Sequence, residues 1–213
     1  MKQGRLDSLA DGIFAIVMTI LVFEIRVPVL DGIASDLALF DSLVSLYPLF
    51  LSYLLSFSLL FTYWRGHHYI VSVLAKGMDI RLSNLSALFF FFVGLVPFSS
   101  HLLGAYHYTH VAIIVFAINI ILIGISLYGM RRYVIRSHEV ENIPFTRTEN
   151  QHANMRILLP VVIAIIAIGV SFFNTSLALL FFTIAILFNL SRRSTRYMFI
   201  FIDFFLPRKS AIE

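Results

Sequence analysis

Two long stretches of this chain, residues 82–130 and 157–191, contain no Asp, Glu, Lys or Arg. A soluble domain draws about a quarter of its residues from those four types, so gaps of this length belong in hydrocarbon. The first stretch is too long for one crossing, because a bilayer core about 30 Å thick asks for roughly 20 helical residues. Gly104 to His110 (Gly-Ala-Tyr-His-Tyr-Thr-His) reads as its turn, and Phe173-Asn174-Thr175 divides the second stretch into two rather short helices. The composition agrees, at 59% hydrophobic, 13% charged, 22 Phe and one Trp in 213 residues. There is no cysteine, which removes disulfides and thiolate metal sites.

The expected fold is all-α, a polytopic membrane protein with six transmembrane helices at about residues 8–27, 43–64, 83–103, 111–130, 157–173 and 175–190. They form one domain over 1–191, and 192–213 makes an interfacial tail in which basic residues flank an aromatic stretch, 197–206. Residues 27–41 read as an external loop and 137–155 as a polar internal loop. Pro97 falls late in the third span and should bend it, whereas Pro48 and Pro160 fall near helix starts. Fifteen of the sixteen Lys and Arg residues lie before the first span, after the last, or in alternate connections; only Arg26 lies on the other side. That bias puts both termini in the cytoplasm of a multi-pass protein of the cell membrane. The basic residues thereby report topology and not a nucleic-acid partner. A cleaved signal peptide is not expected either, because Asp11 and Glu24 bracket the first apolar run and no small-residue cleavage site follows.

That first run is the shortest between charges. Gly12 to Phe23 separates Asp11 from Glu24, about 18 Å of helix at 1.5 Å per residue. At least one carboxylate therefore sits near the hydrocarbon boundary, where ionisable groups face protein or water. On a helical wheel Gly12, Ile16, Thr19, Ile20 and Phe23 share one face, while Asp11 lies about 140° from Ile16. Arg5 and Asp11 stand six positions apart, too far around the helix for an i,i+4 pair, so each needs partners from other helices. Trp64, His67 and His68 at the end of the second span, and Asn84 at the start of the third, are the polar groups at the same depth. Adjacent histidines do not share a helix face and make a poor metal pair; one is expected to hydrogen-bond and the other to be solvated. His101, His107 and His110 gather around the external turn, where solvation is the expected state. No metal site and no catalytic constellation appears in the sequence, so an enzyme is not expected.

These residues resemble the signature of the transmembrane protein 175 family of potassium channels, Arg-x-x-x-Phe-Ser-Asp on the first helix. Arg5 and Asp11 stand at its charged positions, followed by Gly12-Ile13-Phe14-Ala15-Ile16 and Phe23-Glu24-Ile25. The likeness continues in Trp64 with His67-His68, in Asn84-Leu85, in Val96-Pro97-Phe98 and in Leu102-Leu103-Gly104, covering about the first 105 residues by motif. Leu9 and Ala10 replace the family's Phe and Ser, so the serine hydroxyl's hydrogen bond is absent. The resemblance implies a potassium-selective channel, modestly so over sodium, without the TVGYG filter and without a cofactor. It implies a homotetramer in which the first helix lines the pore, Ile16 forms the apolar gate, and Thr19, Ile20 and Phe23 follow it. Arg5, Asp11, Trp64, His67 and Asn84 would then hold that helix in place. The alternative reading is a proton-coupled secondary transporter that titrates Asp11 or Glu24, although the inverted repeats and broken helices common in such proteins are not evident.

Overall fold

The computed structural model describes residues 3–30, 35–75, 77–137 and 147–190, and their regular structure is helical. α1 (Gln3–Ile20) ends in a 3-10 turn, Leu21–Glu24, and α2 (Asp36–Ser45) leads into α3 (Tyr47–His68), which closes with a π-helical turn, Tyr69–Leu74. α4 (Ile80–Gly94), α5 (Val96–Ala105), α6 (His110–Arg136), α7 (Arg147–Ser171) and α8 (Thr175–Leu190) follow. Five of these helical stretches are long and apolar enough to cross a membrane: Gln3–Glu24, Tyr47–Leu74, Ile80–Ala105, His110–Arg136 and Ala153–Ser171; α8 contributes the shorter apolar stretch Thr175–Ile184.

Short polar side chains set the helix starts. Ser35, Asp79, Thr109 and Asn174 each accept a hydrogen bond from the backbone N–H three residues on, at 3.2, 2.8, 3.4 and 3.0 Å, which satisfies donors the first turn would leave bare. The expected turn at 173–175 therefore stands, with Asn174 as its cap. Pro97 does more than bend the third span. Lacking an N–H, it sits in the first turn of a new helix, and the chain breaks at Leu95 between α4 and α5.

Four expectations need correction. A short helix, α2, occupies part of the expected external loop at 27–41. The second span does not stop at 64 but runs to His68 and through the π turn to Leu74. The polar segment expected as a loop over 137–155 is helical from Arg147, because exposure to water forbids nothing about helix formation. For the same reason Pro160 lies inside α7 and not near its start. The expected interfacial tail, 192–213, falls outside the described residues.

α6 is the hub and packs on α3, α4, α5, α7 and α8. Small residues allow the closest crossings. A Cβ on Gly124 would lie 2.3 Å from Val161 of α7, and one on Gly104 of α5 would lie 2.6 Å from Ser52 of α3. Buried hydroxyls and one amide tie the same layer together. The Ser56 hydroxyl donates to Ser100 Oγ at 2.8 Å, Ser100 donates to the Ser52 carbonyl at 3.2 Å, and Asn119 donates to Ser99 Oγ at 3.0 Å.

Candidate functional site

α1 lies at the edge of this bundle, with two unlike faces. Leu6, Ala10, Phe14, Val17 and Leu21, spaced by three and four, are buried. They face α3, its π turn, α4 and α5, and the Phe14 ring meets Phe89 of α4 at 5.9 Å. The other face is uncovered by the rest of the chain. Ile16 is 60% exposed and Phe23 74%, and Gly12, Thr19 and Ile20 lie on the same exposed face. The five residues that the wheel groups together are all exposed, as are Leu9, Asp11, Ala15 and Val22. The hydroxyl of Thr19 lies 2.8 Å from the Ala15 carbonyl and 2.9 Å from that of Ile16, donating back along its own helix. Its lone pairs are left for a group outside.

A polar stripe fixes the N-terminal half. Trp64 Nε1 donates to Asp11 Oδ1 at 2.8 Å, the contact the sequence suggested. One turn earlier the Ser72 hydroxyl donates to Asp7 Oδ2 at 2.7 Å, and one turn before that Gln3 Nε2 donates to the carbonyls of Val71 and, at 3.1 Å, Ala75. The π turn carries Ser72 and Val71, so this local irregularity meets the stripe at two of its points. Sequence reasoning passed over Gln3, Asp7 and Ser72. The signal was present for the first two, since Gln3, Asp7 and Asp11 recur at i, i+4 and i+8, one helix face.

The two histidines do not divide into one hydrogen-bonded and one solvated ring, and the network contact expected of His67 is made by His68. His68, the exposed one, stacks on Trp64 at 6.1 Å and lies 3.2 Å from the Ser72 hydroxyl, joining both contacts of the stripe. His67 is fully buried. Its ring lies flat against Phe89 (5.3 Å, planes 7° apart) and beside Phe90 (5.0 Å), with neither ring nitrogen hydrogen-bonded within the described residues. It supports Phe89, and through Phe89 the buried face of α1, by packing. Arg5 and Asn84 are exposed, and neither side chain makes a hydrogen bond among the described residues. Leu9 lies on the bare face of α1 and Ala10 on the buried one.

At the far end of α1, Glu24 Oε2 lies 3.0 Å from His101 Nδ1 of α5. His101 remains exposed, as expected, while making this contact. His107 meets Tyr47 and Tyr108, and His110 stacks on Phe172 at 5.4 Å. No group of three metal-ligating side chains occurs among the described residues.

A bundle of long apolar helices, with a peripheral helix fixed along one face and bare along the other, defines an integral multi-span membrane protein. Comparison with known proteins narrows the class. Residues 5–97 match the model of the family described as the endosomal/lysosomal potassium channel TMEM175. A potassium channel of Chryseobacterium sp. is 29% identical over 183 residues, 85% of this chain and 89% of that protein. A potassium channel of Chamaesiphon minutus is 38% identical over 105 residues, about half of each chain (49% and 51%). The crystal structure of a lysosomal potassium-selective channel TMEM175 homolog from Chamaesiphon minutus superposes with a TM-score of 0.73 at 28% identity, covering 90% of this chain and 97% of that one. The chain is thus similar to the TMEM175 potassium-channel family in sequence over residues 5–97, and similar in fold to the Chamaesiphon minutus TMEM175 homolog over 90% of its length.

Proposed function

We propose that this protein conducts potassium passively, with modest preference over sodium, along an axis lined by α1 from four copies of the chain. The observation that carries the reading is the bare face of α1. It holds Gly12, Ile16, Thr19, Ile20 and Phe23, while the opposite face is seated in the bundle and both ends are pinned. In a ring of four, Ile16 forms an apolar constriction that gates by dewetting, and widening it admits water and ions. Thr19 presents hydroxyl lone pairs beside it, one helical turn on. Discrimination comes from the cost of partly stripping hydration at this constriction, and no cofactor is needed. The chain takes six spans in the cell membrane with both termini in the cytoplasm, as its basic residues indicate.

The carboxylates favour conduction over proton-coupled transport. Asp11 is engaged by Trp64 midway along α1 and Glu24 by His101 just past its end, two positional contacts and not successive stations of a relay. The test is flux through purified protein in liposomes under a potassium gradient. Ile16→Asn is expected to raise cation flux or erode the K⁺/Na⁺ preference; unchanged flux and reversal potential would remove Ile16 from the gate. Saturable uptake driven by a pH gradient, in place of ohmic current, would overturn the channel reading itself.

A further inference from the structure

We propose that α2 is an interfacial helix, lying in the headgroup boundary of the bilayer with the side that bears Leu37, Phe40 and Val44 against lipid. The proposal goes beyond conduction and does not depend on it; it requires only that α3 spans. No residue of α2 is buried by the rest of the chain, and Leu37, Phe40 and Val44 are 77%, 64% and 53% exposed. At 100° per residue these three fall within an arc of about 60°, with Ser42 and Ser45 turned away from it and Asp36 and Asp41 bordering it on either side. Asp36 lies in the first turn, where a helix N-terminus favours negative charge.

What covers the apolar side follows from its continuation. Leu46, the single residue between α2 and α3, keeps a right-handed helical backbone (φ −78°, ψ 0°), so the phase of α2 carries across the bend. Leu37, Phe40 and Val44 then run on into Tyr47, Phe50, Leu54, Phe57 and Phe61, all exposed, at spacings of three and four. That second part is the bare apolar stripe of a membrane-crossing helix. Tyr47, at the joint, has its ring against His107, which in turn meets Tyr108; Tyr47, Tyr106 and Tyr108 are all exposed. Such a girdle of amphipathic rings belongs at headgroup level, and α2 begins its course one residue from it. Lying along the boundary, α2 submerges this stripe, keeps Ser42 and Ser45 wet and holds Asp36 and Asp41 at the waterline, the arrangement of an amphipathic interfacial helix.

The chain has no cysteine, so single cysteines can report position. Leu37→Cys, Phe40→Cys, Val44→Cys, Ser42→Cys and Ser45→Cys would be labelled with an environment-sensitive fluorophore and reconstituted in phosphatidylcholine vesicles, with Phe61→Cys as the mid-span reference. Quenching by phosphatidylcholine spin-labelled near its headgroup is expected to be several-fold stronger at 37, 40 and 44 than at 42 and 45. Aqueous iodide should show the reverse order. Equal iodide quenching at all five positions would place α2 in water and overturn the proposal. Protection of 37, 40 and 44 from both quenchers would overturn it in favour of a second copy of the chain.

Discussion

α6 and α1 are both apolar helices of membrane length, yet the bundle treats them in opposite ways. Of the most apolar 18 residues of each, 56% are buried in α6 and 28% in the stretch Gln3–Glu24. Hydropathy does not set the difference, since Tyr47–Leu74, the least apolar of the five stretches, is 44% buried. Polar residues and glycines do, by their position. α6 carries Asn119 and Ser126 on buried surface, and Gly124 where α7 crosses it. α1 carries its hydrogen-bonded carboxylates, Asp7 and Asp11, in its first half, and a glycine, Gly12, where an added Cβ would meet nothing within 4 Å. Gly129 of α6 is equally free, so the contrast rests on Gly124, whose crowding fixes the crossing of α6 with α7.

The same substitution at the two glycines is the strongest way to break this contrast. Gly124→Leu should destabilise the subunit by about 3 kcal/mol through overpacking against Val161, read as loss of folded protein in detergent. Gly12→Leu should leave the subunit's helical content and stability within about 0.5 kcal/mol and act on assembly or flux. Equal damage from the two would erase the distinction. The mount of α1 comes next. A double-mutant cycle of Asp11→Ala and Trp64→Phe should give a coupling of about 1 kcal/mol, typical of a hydrogen bond to a charged acceptor that water can still reach. A coupling near zero would mean that packing on Phe14 alone seats the helix. The smallest effect belongs to Glu24 and His101, both partly exposed. Their coupling should stay below about 1 kcal/mol and shrink in high salt; a larger, salt-insensitive value would make the far end the stronger mount.

The sequence was most legible where charges and caps mark boundaries. The empty stretch at 82–130 foretold two spans, though the first of them is broken into α4 and α5 where only a bend was expected, Asn174 foretold the last turn, and the wheel grouped residues that are all exposed on α1. It was least legible where neighbours decide. Nothing in Trp64-Arg65-Gly66-His67-His68 says that Phe89 and Phe90 will enclose His67, because those rings arrive from another helix. The start of α7 escaped because hydrophobicity locates membrane, not helix, and residues 147–155 form a polar helical extension. The π turn escaped because its extra residue per turn leaves no mark on a pattern of apolar positions.

The break at Leu95 has a mechanical consequence. Because the chain restarts there in a new helix, α4 brings Phe89 to the middle of α1, and α5 brings His101 to its far end. With Gln3 and Asp7 held by the π turn at the near end and Trp64 on Asp11 beside Phe89 near the middle, α1 is a beam bolted at both ends and propped between. Such a beam resists rolling about its long axis, so the side it leaves bare is set by the subunit. What remains open to it is bowing in the middle or travelling with the whole bundle, and in the proposed pore any change in aperture would have to be made from those two movements.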